Sequence, residues 1–213
     1  PMSSANPMVE ELVQGKPRIV ILNKADLADP KATDRWISYY QKKNIPVVPM
    51  SVGNSKNKKK LLALIRETAE PMLAKWRKRG IKSRSVRLMI LGIPNVGKST
   101  LINFLAGTAA TRTANTPGHT RGKQWVRLSE GLDLLDTPGV LWPKFDDQIA
   151  ALRLAATGAI AGDVFNADEV VPELLASLAE TAPWVLQEKY DIEDVHQDPQ
   201  LLLEAAGRRR GCL

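Results

Sequence analysis

The sequence predicts an α/β domain, a mainly parallel sheet flanked by helices, followed by a small all-helical domain. Three observations predict it. Short aliphatic runs alternate with helical segments over the first two thirds of the chain. A glycine-rich turn joins one such run directly to a helix. Past Trp142 only helical patterns remain.

Five runs read as strands: Arg18–Asn23, Ile45–Ser51, Val86–Gly92, Lys123–Ser129 and Leu132–Thr137. RIVILN and VRLMILG are almost continuously apolar, as parallel strands buried on both faces would be. KQWVRLS alternates, which suits an edge strand, and Glu130-Gly131 joins it to LDLLDT as a tight hairpin. Between the runs, Pro30–Lys43 is helical with Asp29 as its cap. Lys58–Lys78 has helical spacing, and Pro71 is expected to kink or split it. Lys98–Leu105 leaves the glycine-rich turn as a helix. The second domain carries helices at Gln148–Thr157, Val170–Glu180, Pro183–Tyr190 and Pro199–Ala206, the last capped by Asp198 and stopped by Gly207. The expected division is residues 1–144 and 145–213, the second part truncated. Because the chain opens at Pro1, it reads as a fragment of a longer protein.

The 213 residues are 44% apolar, enough for a core and too much for wholesale disorder. No apolar run is long enough to span a bilayer, so no membrane partner is expected, and no signal peptide is visible. The single cysteine, Cys212, excludes an internal disulfide framework and fits the reducing cytoplasm. Its place second from the end does not fit a prenylation box. The net charge is +7 and the pI about 9.6. The positive charge is concentrated in Lys56–Lys60 (KNKKK), Trp76–Arg87 (WRKRGIKSRSVR) and Arg208–Arg210. Each run alone is ordinarily a solvated surface. Three without an acidic counterpart point to RNA or ribosome contact.

Gly92–Ser99 reads GIPNVGKS and fits G-x-x-x-x-G-K-[ST], the P-loop. Gly92 and Gly97 let the backbone wrap around phosphates, and the amides of Val96, Gly97 and the helix start meet their charge. Lys98 places a cation between the β- and γ-phosphates. Ser99 supplies an oxygen to Mg²⁺, and Thr100 completes the loop. Asn23–Asp26 reads NKAD and fits N-K-x-D. A buried Asp26 would accept from guanine N1–H and the exocyclic amine, and adenine would leave it unpaired. The stem of Lys24 would lie along the purine, and Asn23 would tie this loop to the P-loop. Ser51-Val52, at the end of a strand, stands where GTPases often place Ser-Ala against the guanine O6; Val52 departs from that pattern. Asp136–Gly139 reads DTPG and fits D-x-x-G, with Asp136 toward Mg²⁺ and the Gly139 amide toward the γ-phosphate. Thr111–Lys123 has the polar, glycine-containing make-up of a switch, in which Thr120, or else Thr116, would close over the metal. These readings together give a GTP/GDP site.

GTPases ordinarily run P-loop, switch, D-x-x-G, N-K-x-D, S-A. Here NKAD and Ser51 come first, and Gly53–Ser85 forms the new connection. This order, with GIPNVGKSTLIN, PGHT, DTPGVLWPKF and the opening PMSSANP, resembles the circularly permuted GTPases of the YlqF/RbgA group, ribosome biogenesis GTPase A. The resemblance covers essentially the whole chain. It implies a slow GTPase switch in assembly of the large (50S) ribosomal subunit, with that subunit and its rRNA as partners and no DNA. It also implies a helical C-terminal domain that helps bind RNA.

Val140 follows DTPG where Ras-like enzymes place a water-orienting glutamine, so catalytic help must come from elsewhere. Lys98, Asn95, Thr120 and Gly139 are the candidate catalytic groups in this chain. Asn95 resembles the asparagine that holds a K⁺ beside the phosphates in related GTPases, and an ordinary turn residue is the competing reading. His119, in PGHT, is more simply a loop residue. The resemblance places the catalytic histidine upstream of Pro1. Two other readings stand beside this one: a permuted GTPase of the small subunit or another RNA, and a GTP-binding scaffold without turnover. Relatives of the former usually carry an OB-fold or zinc module, for which this chain has neither strands nor cysteines.

Overall fold

The computed structural model describes residues 13, 15–81, 84–107, 124–129, 131–137, 147–160 and 165–212. They divide into two compact units, one holding the described residues up to Thr137 and the other those from Asp147 onward.

The first unit runs β1 (Val20–Leu22), α1 (Pro30–Lys42), β2 (Val47–Pro49), α2 (Ser55–Lys78), β3 (Val86–Met89), α3 (Lys98–Ala106), β4 (Gln124–Ser129) and β5 (Leu132–Asp136). All five expected strands are present, shorter than the apolar runs that announced them. They form two sheets among the described residues rather than one. β1 pairs β2 in parallel, while β3 pairs β5 in parallel and β4 pairs β5 antiparallel in the order β3-β5-β4. β4 is the expected edge strand, with a register irregularity between Arg127 and Ser129. Gly131, at φ 74°, supplies the left-handed residue of the tight turn; Glu130 lies outside the described residues.

One core joins both sheets. Val48 and Met50 from the first meet Val86, Val126, Leu132 and Leu134 from the second, together with Leu61 and Ile65 of α2 and Leu101, Ile102 and Leu105 of α3. A shared apolar core needs side chains only, not a continuous ladder. The expectation that β1 and β3 are buried on both faces is corrected. β1 is half-buried throughout, and β3 alternates, with Arg87 and Met89 exposed. Arg87 instead lies over the exposed ring of Trp125, 5.3 Å from its centroid.

Helix α2 begins three residues earlier than Lys58 because Asn54 caps it, accepting from the Lys56 amide. It continues through Pro71 without being split. Its apolar stripe of Leu61, Ile65 and Ala69 stays buried on the approach to the proline, and that packing outweighs one missing hydrogen bond. Near its start, Lys58 reaches the far end of α3. Its ammonium is 5.9 Å from the Phe104 ring centroid and 3.5 Å from where a Cβ on Gly107 would stand. Lysine there suits the negative end of a helix.

The second unit is helical: α4 (Gln148–Ala156), α5 (Ala167–Thr181), α6 (Pro183–Tyr190) and α7 (Pro199–Arg210). Leu175, Leu186, Ile192, Val195 and Leu202 form its core. Asp198 caps α7 through the Gln200 amide at 2.8 Å, as expected. The expected stop at Gly207 is corrected: the helix runs on to Arg210 and ends on Gly211, at φ 70°. Either glycine could adopt the left-handed cap. Ending on the second places Arg208, Arg209 and Arg210 in the last turn, where cations favour the helix dipole. Among the described residues no helix is long and apolar enough to cross a membrane.

Leu202 is 1% exposed. Leu202→Ala should destabilise the helical unit by about 2–5 kcal/mol, read as a lower denaturant midpoint for that unit. A change below about 1 kcal/mol would mean its core collapses onto the gap.

Candidate nucleotide site

Two loops at strand ends build the site. Beyond β1, Lys24 turns the chain in the left-handed region at φ 55°, and the Ala25 amide donates to the Met50 carbonyl at 3.0 Å. That bond sets the NKAD turn beside the end of β2, where Ser51 and Val52 follow. Val52 is 40% exposed. Asp26 is exposed, and this corrects the expectation of a buried carboxylate. No described residue covers it, so its desolvation would have to come from a ligand.

Beyond β3, Gly92–Gly97 curls back on itself. Asn95 and Gly97 both have positive φ, at 56° and 92°. A Cβ on Gly92 would stand 3.3 Å from the Val96 methyl, a tight contact that Val96 would have to ease by a few tenths of an ångström. Gly97 begins α3 in the left-handed region and, having no side chain, caps the helix with none. The Lys98 ammonium folds into the loop and donates to the carbonyls of Gly92 at 3.0 Å and Ile93 at 2.7 Å. Ser99 is half-buried, and Thr100 faces solvent.

The loops are tied together. The Asn23 side-chain amide donates to the Val96 carbonyl at 2.8 Å, and the Lys24 ammonium donates to the Asn95 carbonyl at 3.3 Å. The Asn23 amide nitrogen comes so close to Gly97 that a Cβ there would lie 2.5 Å from it. Gly97 therefore serves the tie between the loops as well as access to a ligand.

Asp136 ends β5 at 1% exposure. Burial pushes its carboxyl up from the ordinary carboxylate range. The Lys98 charge and the Thr137 backbone amide, which donates to it, pull the other way. Burial likewise lowers Lys98, and Asp136 partly offsets that. Asp136 Oδ1 is buried without a hydrogen-bond partner among the described residues. An orphaned buried carboxylate oxygen next to a cation-bearing loop fits a hydrated Mg²⁺, with the Ser99 hydroxyl as the other candidate donor in the described residues. No group of three His, Cys, Asp or Glu side chains there could hold a metal by itself.

The structure thus brings Asn23, Lys24 and the P-loop into contact and couples Lys98 to Asp136. Thr116, His119, Thr120, Gly139 and Val140 lie outside the described residues. Sequence reasoning missed Thr137. Buried at 7% exposure, it donates from its hydroxyl to the Ile90 carbonyl at 2.6 Å and pins the end of β5 to the end of β3. The signal available was its place beside Asp136 inside D-x-x-G.

Gly97→Ala should weaken GTP binding by about ten- to a hundredfold, matching about 1–3 kcal/mol of backbone strain and a displaced Asn23. Calorimetric titration of the folded variant measures this, and unchanged affinity would show that the tie is dispensable.

The chain is similar in sequence and fold to known proteins. Residues 87–197 match a family described as 50S ribosome-binding GTPase. Ribosome biogenesis GTPase A of Bacillus licheniformis is 43% identical over 213 residues, spanning 100% of this chain and 75% of the relative. The protein of the same name from Priestia megaterium is 42% identical over 214 residues, spanning 100% of this chain and 74% of the relative. The solved GDP-bound structure of TM YlqF superposes with a TM-score of 0.60 at 23% identity, covering 100% of this chain and 86% of that one. GNP-bound YlqF from T. maritima gives 0.56 at 22% identity, covering 100% and 84%. At those identities the two structures speak for the fold. With NKAD ahead of the P-loop in the chain and bonded to it in space, the protein belongs to the ribosome biogenesis GTPase A family of circularly permuted P-loop GTPases.

Proposed function

We propose that this GTPase is a GTP-dependent switch in assembly of the large ribosomal subunit, with that subunit and its rRNA as partners. The observation that carries the reading is the direct bonding of the NKAD loop to the P-loop through Asn23 and Lys24. It holds a base-recognition element at a fixed offset from a phosphate cradle. The names of the relatives, and the basic runs on α2 and α7, support the ribosomal part.

In this reading the guanine lies over Lys24 and covers Asp26, whose carboxylate accepts from N1–H and the exocyclic amine. Ser51 and Val52 offer backbone amides to the O6. The amides of Val96, Gly97 and the first turn of α3, with Thr100 closing the loop, cradle the phosphates. Lys98 leaves its carbonyl partners, Gly92 and Ile93, for the β- and γ-phosphates. Ser99, Asp136 and Thr120 hold Mg²⁺, which when bound neutralises charge on those phosphates. The Gly139 amide senses the γ-phosphate, and Asn95 faces a K⁺ beside it. Val140 cannot orient a water, so turnover in isolation is slow and His119 is not needed for it.

Asp26→Asn should turn preference from guanosine toward xanthosine nucleotides, because the amide reverses one hydrogen-bond polarity. Competition titrations measure it, and equal binding of ATP and GTP by the unaltered protein would sink the role of NKAD. Co-sedimentation with large subunits should rise with a non-hydrolysable GTP analogue over GDP and fall steeply with salt. Equal binding in all nucleotide states would end the switch reading.

A further inference from the structure

β3 and β5 pair in parallel, and the ladder between them is altered at its last rung. The Val86 amide donates to the Gly131 carbonyl at 2.8 Å, and the Ile90 amide, on the same side of its strand, donates to the Leu135 carbonyl at 3.4 Å. In parallel pairing a residue that donates in this way also accepts, from the amide two positions further along the partner. The Ile90 carbonyl is therefore due the backbone N–H of Thr137. The Thr137 hydroxyl takes it instead, at 2.6 Å, and the Thr137 N–H turns to the Asp136 carboxyl. Side-chain hydroxyls displace backbone donors in this manner where regular structure ends.

The exchange falls beside the least comfortable group in the site. Asp136 is 1% exposed, and its Oδ1 has no hydrogen-bond partner among the described residues. A small turn of the chain toward water or toward a donor would relieve that oxygen. Thr137 withholds the relief. It is itself buried, and its hydroxyl fastens the residue next to Asp136 to Ile90, two positions before Gly92 at the root of the P-loop. The branched side chain has few rotamers, which stiffens the fastening. The hydroxyl proton is spent on Ile90, so Thr137 acts through Asp136 rather than on a ligand.

We infer that Thr137 is a positioning residue for the metal arm of the site: its hydroxyl, seated on the Ile90 carbonyl, holds Asp136 ready for Mg²⁺ and so governs how strongly Mg²⁺ retains the nucleotide. The inference rests on the reading of Asp136 as a Mg²⁺ group given above. A plain clamp between strands would loosen the nucleotide equally with and without the metal. A positioning residue is felt only when the metal is there.

The experiment follows release of a fluorescent GDP analogue from the full chain over a range of Mg²⁺ and in excess EDTA. The variants are Thr137→Val, which keeps the branched shape without the hydroxyl, Thr137→Ser, which keeps the hydroxyl, and Asp136→Asn. Thr137→Val should raise the Mg²⁺ concentration for half-maximal slowing of release by about tenfold, the lower end of what loss of an outer partner costs a metal site. In EDTA it should release at the rate of the unaltered chain. Thr137→Ser should recover most of the Mg²⁺ response. Where Thr137→Val does not fold, Thr137→Ala carries the same expectation, because a water there would satisfy Ile90 without holding Asp136. An unchanged Mg²⁺ midpoint, or release quickened by the same factor with and without Mg²⁺, would overturn the inference. So would a serine variant as impaired as the valine one, since shape and not the hydroxyl would then decide. A response lost in Asp136→Asn but intact in Thr137→Val removes the inference alone. A full response in Asp136→Asn removes the metal reading of Asp136, and the inference falls with it.

Discussion

A single hydrogen bond, from the Asn23 amide to the Val96 carbonyl, fixes the spacing on which the whole site depends. The two residues are 73 positions apart in sequence, so the bond does not care in which order their segments are threaded. That indifference is what makes a permuted chain workable. Cutting and rejoining elsewhere leaves the contact intact as long as both loops still sit at the ends of their strands. Gly97 is its counterpart: a Cβ at that position, already strained by its positive φ, would push the Asn23 amide aside. The tie therefore constrains the backbone of one motif and the side chain of the other together.

Below the loops, α2 meets the demand that permutation creates. It connects the half of the chain carrying NKAD to the half carrying the P-loop, and it buries Leu61, Ile65 and Ala69 in the common core. Its Lys58 touches the last turn of α3, the helix whose first turn holds Lys98 and Ser99. The same short helix thus carries the end of the P-loop at its start and a contact with the connection at its finish. Thr137 performs the matching task from the opposite side, securing β5 to β3 just beyond Asp136. Asp136 and Lys98 each resist ionisation through burial and each favour the other's charge, so neither is at ease until further charge arrives.

Much of this was legible in the sequence, because the motifs are local. GIPNVGKS, NKAD and DTPG each place their polar groups by turn geometry over a few residues, and each begins at a strand end as expected. What was not legible is tertiary in origin. Exposure of Met89 depends on which face of β3 meets α2 and α3; an almost continuous apolar run cannot report that, and the one charge in it, Arg87, was the available sign of an outward face. The division of the strands into two sheets is likewise a matter of which edges find partners. Pro71 reads as a break, yet the buried stripe beside it carries α2 through. Gly207 and Gly211 are equivalent as caps on paper. The choice between them is made by where the last turn's charges fall. Asp26 looks like a core carboxylate by motif alone, but no surface among the described residues buries it.

The extra turn of α7 beyond Gly207 has its own consequence. Consecutive residues on a helix point about 100° apart, so Arg208, Arg209 and Arg210 spread like the ribs of an opened fan rather than lining up as a stripe. Arg208 leans back toward Glu204, and Arg210 lies over the Tyr190 ring. A fan has no preferred direction of approach. It lends the tip of the helical unit attraction that tolerates rotation, where a stripe would impose a fixed bearing.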